Sequence, residues 1–173
     1  MQRVPHSFLI AAIASSAIEP LLSVIDTAVA GRIATQTIAC LTLGGGLAAA
    51  LAWIGFQALG GLPGVVGRLR GGGHEDEARL LAGEAACAAL IGGALLAGPA
   101  ALLAGYGLDA AVAHQPTASG AAHYLAVRLL GMPFSLCLFV LVGILRTGPK
   151  DGWGPVLIMI SVLAINAGLD IVL

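Results

Sequence analysis

Ser16, Glu19, Ser23 and Asp26 follow one another at intervals of three, four and three inside the apolar stretch "SAIEPLLSVIDTAVAG". If the stretch is helical, that spacing stacks all four on one face. A carboxylate near the middle of a bilayer costs about 2.5–3.5 kcal/mol on insertion scales, so such a face must meet protein or water rather than lipid. Carboxyl groups in that setting can take up and release a proton, or help to hold Na⁺. Pro20 lies within the same stretch. It removes one backbone N–H and leaves the Ser16 carbonyl without its helical donor, which makes the helix bendable at that point or statically kinked.

A second polar pair lies near the end of the sequence. Asn166 and Asp170 are four apart, so on a helix the amide can hydrogen-bond the carboxyl group. At 1.5 Å per residue, Asp26 falls roughly 27 Å along its stretch from Phe8, and Asp170 roughly 24 Å along its own from Gly154. If the two stretches run in the same direction, both acids belong to the same half of the membrane. Tyr124 and Arg128, early in a stretch of the opposite direction, belong there too. The expected cluster is Asp26, Tyr124, Arg128, Asn166 and Asp170, with Glu19 nearer the midplane. A structural role stays open for each: Asp170 could cap a helix end, and Arg128 could extend toward the membrane surface.

The elements that must carry these residues are membrane helices. The sequence has 173 residues, of which 58% are hydrophobic and 10% charged, and its mean hydropathy is +0.98. A soluble domain carries about a quarter charged residues. The net charge of −1 and the scattered arginines give no case for nucleic-acid binding. At roughly 20 apolar residues per span, the sequence predicts an all-α polytopic membrane protein with helices near 8–31, 38–62, 80–105, 120–145 and 154–173. The connections are read as a tight turn at "GRIATQT", a Gly-rich charged loop at "PGVVGRLRGGGHEDEA", a polar loop at "GYGLDAAVAHQPTASG" and a proline-containing turn at "RTGPKDGWGP". The N-terminal run is longer than a signal-peptide core and is interrupted by acids, so it is read as a retained span. Arg3, Arg68, Arg70, Arg79, Arg146 and Lys150 fall on the side of the N-terminus, which the positive-inside rule assigns to the cytoplasm.

Other polar residues carry less. Glu75, Asp76 and Glu77 suit the start of a helix. His6, His74, His114 and His123 lack metal-ligand spacing, and Cys40, Cys87 and Cys137 sit in apolar sequence without a pairing pattern. No nucleophile elbow, zinc-protease or P-loop motif occurs, so no enzyme activity, metal or cofactor is expected. The glycine-rich runs "LGGGLAAALAW" and "LIGGALLAG" read as surfaces for close helix packing.

The segments "PLLSVIDTAVAG", "HYLAVRLLGMPFSL" and "GPKDGWGPVLIMISVLAINAGLDIVL", in that order and spacing, resemble the multidrug and toxic compound extrusion (MATE) family, most closely its DNA-damage-inducible protein F branch. The resemblance runs from about Phe8 to Leu173. It implies a bacterial inner-membrane transporter of twelve helices in two six-helix lobes, exporting small organic compounds by alternating access against H⁺ or Na⁺. It implies that Asp26 is a coupling-ion residue, joined by Asn166 and Asp170 and lying near Tyr124. Glu19 is a departure from the family pattern and becomes, with Arg128, a second protonation site or substrate contact. The proline that the family often has fifteen residues before the first-helix Asp is Ala11 here, so any bend would centre on Pro20. About five helices, most of one lobe, are expected over residues 1–173. On that reading the sequence is an N-terminal fragment, inactive until further C-terminal helices or a second copy complete it. The alternatives are a flippase for lipid-linked precursors within the same superfamily, and a non-transporting helical bundle or truncated product.

Overall fold

In the computed structural model the described residues of this apolar sequence form seven helices. The structure describes residues 6–111, 116–148 and 153–172. At some helical positions, among them Glu19, Asn166 and Asp170, the side chain lies outside the described residues. The helices are α1 (His6–Ile33), α2 (Thr35–Leu59), α3 (Leu62–Gly71), α4 (Glu75–Ala111), α5 (Pro116–Leu130), α6 (Met132–Arg146) and α7 (Trp153–Val172). Thr35–Gly71 and Glu75–Ala104 are each long and apolar enough to cross a membrane, and α5 with α6 forms a third, bent candidate. The protein is an all-α, multi-pass membrane protein.

The tight turn predicted at residues 31–37 reduces to one extended residue, Ala34, at φ −165° and ψ 153°. Pro20 sits inside α1 without ending it. The Gly-rich charged loop expected at 63–78 is a correction: α3 occupies most of it, and α4 begins at Glu75. Leu62, Val66 and Leu69 recur at helical spacing and pack into the core. Pro63 stands in the first turn of α3, where its missing N–H has no intrahelical carbonyl to lose. The remaining turn is a Schellman cap. His74 N–H donates to Leu69 O (2.9 Å) and Gly73 N–H to Arg70 O (3.1 Å), with Gly73 at φ +82°, where a side chain would be strained.

The single helix expected at 120–145 is also corrected. The chain bends by 48° between α5 and α6. Gly131 keeps a right-handed conformation at φ −79°, so glycine's extra freedom is not the cause. Pro133 is: it has no N–H for the Leu129 carbonyl, and its ring opposes a straight continuation. Gly93 of α4 accommodates the elbow, since a methyl group added there would stand 2.5 Å from Pro133 Cα.

The core lies where α4, α5 and α6 meet α2 and α3. Val66, Leu129, Leu136 and Val140 are its largest fully buried side chains, and the rings of Phe56 and Phe139 stack with centroids 4.4 Å apart. The glycine-rich runs serve packing at particular positions only. A methyl group at Gly44 would meet Ala121 O at 2.6 Å, and one at Gly93 would meet Pro133 Cα at 2.5 Å, whereas Gly46 and Gly92 have nothing within 4 Å. The helix α7 packs against α1.

Candidate functional site

Asp26 lines a cleft of about 430 Å³ together with Val29 and Ala30 of α1, positions that share one helical face. The second wall is Thr37 and Leu41, one turn apart at the start of α2. Tyr124, Val127 and Arg128 of α5 form the third, and the cleft continues past the elbow to Gly131 and Ser135. The bend therefore does local work: it carries the chain from the third wall to the fourth without moving Ser135 out of reach.

Packing fixes the tyrosine. A methyl group at Gly44 would meet Tyr124 Cδ1 at 3.0 Å and Ala121 O at 2.6 Å, and one at Gly45 would meet Tyr124 Cε1 at 3.6 Å. Two glycines on α2 thus leave the space in which the ring lies, with Tyr124 half-buried. Ser135 Oγ donates to the Gly131 carbonyl at 3.2 Å, reinforcing the backbone bond from Ser135 N–H to the same oxygen at 3.0 Å. Asp26 is half-buried and makes a polar interaction of its own. Arg128 is exposed in the last turn of α5, where a cation is favoured by the helix dipole. One carboxylate, one guanidinium and the hydroxyls of Thr37, Tyr124 and Ser135 thus share an otherwise apolar cleft.

The sequence model of the MatE family matches residues 11–172. The chain belongs to the MATE family. No curated protein and no solved structure matches it. The match covers nearly all of the described helices, so the cleft lies within MATE sequence, and its members are efflux transporters rather than enzymes. It does not favour the flippase reading.

Of the residues that the sequence singled out, Asp26, Tyr124 and Arg128 line this one cleft of the MATE chain. Ser16 and Ser23 are exposed on α1, and Ser16 has a polar partner. The side chains of Glu19, Asn166 and Asp170 lie outside the described residues, although α7, which carries the last two, packs on α1. Sequence reasoning missed Thr37, Gly131 and Ser135. The signal for the latter two was present in "GMPFS", a glycine and a proline interrupting an apolar run, the pattern of a broken helix. Thr37 gave no such signal, because a threonine beside a turn is ordinary. Among the described residues no group of three or more His, Cys, Asp or Glu is placed to hold a metal ion.

Proposed function

We propose that this MATE protein exports small organic compounds by antiport, and that Asp26 carries the coupling H⁺ or contributes to a Na⁺ site with Asn166 and Asp170, beside Tyr124. The observation that supports this most is the shared cleft of Asp26, Tyr124 and Arg128. A half-buried carboxylate at the wall of a wet cleft can exchange ions with one side of a membrane and be sequestered from it when the helices move. Glu19 would supply a second protonation site and Arg128 a substrate contact. Pro20 gives α1 a place to bend, because one backbone hydrogen bond is missing there.

In this reading the protein is a bacterial inner-membrane transporter of the DNA-damage-inducible F branch, its N-terminus is cytoplasmic, and it needs no cofactor beyond the coupling ion. Transporters of repeated architecture place substrate between repeats, so efflux would require a second lobe, supplied by further helices or a second copy. The test is Asp26→Asn in the protein completed by that second lobe, assayed as drug accumulation in efflux-deficient cells that carry the wild-type or variant protein at equal membrane abundance. Ion-coupled efflux should be lost. Efflux that survives the substitution would remove Asp26 from the coupling site.

A further inference from the structure

Arg128 brings a positive charge into the cleft that Asp26 lines, on the same wall as Tyr124 and Val127. Its backbone is held in place. Leu125 and Leu129 of the same helix are buried, and the Arg128 carbonyl accepts the Gly131 N–H at 3.2 Å as the chain enters the elbow. The side chain is exposed. Among the described residues the guanidinium has neither an ion pair nor a hydrogen bond, so no bond joins it to Asp26 across the cleft. A positive charge thus stands at an open wall with its donor fork uncommitted.

The two charges restrict what the cleft can take. In an antiporter the ion and the substrate must disfavour each other's binding, and the group that competes with H⁺ or Na⁺ for the Asp26 carboxylate is a cation. A protonated amine meets that requirement. A substrate that is only a cation, however, enters a cleft whose other charge repels it. One that is only an anion suits Arg128 but has no group with which to displace the ion from Asp26. A molecule bearing both charges satisfies both residues, and the guanidinium fork matches the two oxygens of a carboxylate. The rest of the lining suits an apolar body, with Val29, Ala30, Leu41 and Val127, and about 430 Å³ is the size of a small-molecule site.

We propose, in an inference that rests on the antiport reading of Asp26, that the cleft selects zwitterionic compounds: an apolar body carrying an amine and a carboxylate. Arg128 binds the carboxylate and Asp26 the amine. Arg128 is thereby the residue that sets specificity, admitting amines that also carry an acid and disfavouring simple cations.

Three fluorescent ligands of similar size separate the groups. Nε-dansyl-lysine carries an amine and a carboxylate, dansylcadaverine is the same molecule without the carboxylate, and dansyl-aminohexanoic acid keeps a carboxylate without the amine. Each is titrated onto the purified chain in nanodiscs of phosphatidylcholine, a lipid with no carboxylate, and dansyl emission is read against empty discs. Dansyl-lysine should bind about tenfold more tightly than either relative. Arg128→Gln should bring its affinity down to that of dansylcadaverine, and Arg128→Lys, which keeps the charge but loses the fork, should weaken it about threefold. Asp26→Asn should bring it down to that of dansyl-aminohexanoic acid. Equal binding of dansyl-lysine and dansylcadaverine, or a preference for dansyl-lysine that survives Arg128→Gln, would overturn the proposal. Failure of the antiport reading looks different: efflux by the completed protein would survive Asp26→Asn, while an Arg128-dependent preference for the carboxylate would still support the role of Arg128.

Discussion

The helices α1 and α6 both border the cleft, yet they are anchored very differently. Met132, Leu136, Val140, Val142 and Ile144 of α6 are buried, whereas among the described side chains of α1 only Ala30 is. Ile13 and Val24 of α1 are 69% and 64% exposed. At its start α6 presses Pro133 onto Gly93, and at its end it is bonded by Arg70. The helix with the candidate ion carrier is thus the loosely held one, and the helix opposite it is fixed. Difference in anchoring of this kind is what a moving part set against a frame requires, because regions with few buried contacts are the ones that shift at low cost.

Substitutions can break or sharpen that contrast. The largest effect should come from Asp26→Asn, with coupled efflux abolished and thermal stability near that of the wild type, since the change is isosteric. Stability falling in parallel with activity would mean that α1 is part of the frame. Leu136→Ala should cost about 2–5 kcal/mol, because the side chain is fully buried and its removal leaves a cavity. Unfolding in mild denaturant would report it. Gly93→Ala should cost about 1–3 kcal/mol, as the new methyl group meets backbone rather than a flexible side chain. A neutral outcome would show the elbow to be pliable. Ile13→Ala should change stability by less than about 0.5 kcal/mol, and a loss as large as that of Leu136→Ala would erase the distinction between the two helices.

The helical, membrane-spanning character was legible in composition, because so few charges in so long an apolar chain leave no other class. The grouping of Asp26, Tyr124 and Arg128 was legible from rise per residue and alternating direction, and the three line one cleft. Two features were not. The helix α3 was hidden by its glycines, which look like a loop until Pro63 and Val66 are seen packed on α6 and the core. The elbow at Gly131 was written in "GMP", but whether such a signal kinks a helix depends on a neighbour with room for the bend. Here that neighbour is Gly93, some forty residues earlier, and no local rule links the two. Thr37 and Ser135 reached the cleft for the same reason, through the placement of backbone rather than a pattern of their own.

The turn at Gly72–His74 has a mechanical meaning. It joins the ten-residue α3, Leu62–Gly71, to the 37-residue α4, Glu75–Ala111, through a cap whose hydrogen bonds already use the available amide groups. So short and fully bonded a connector has no slack, and a tilt imposed on one arm must be passed to the other. The helix α3 and the start of α4 therefore turn as a single stiff unit, and a tilt of α3 would reach the first turns of α4 with its direction kept.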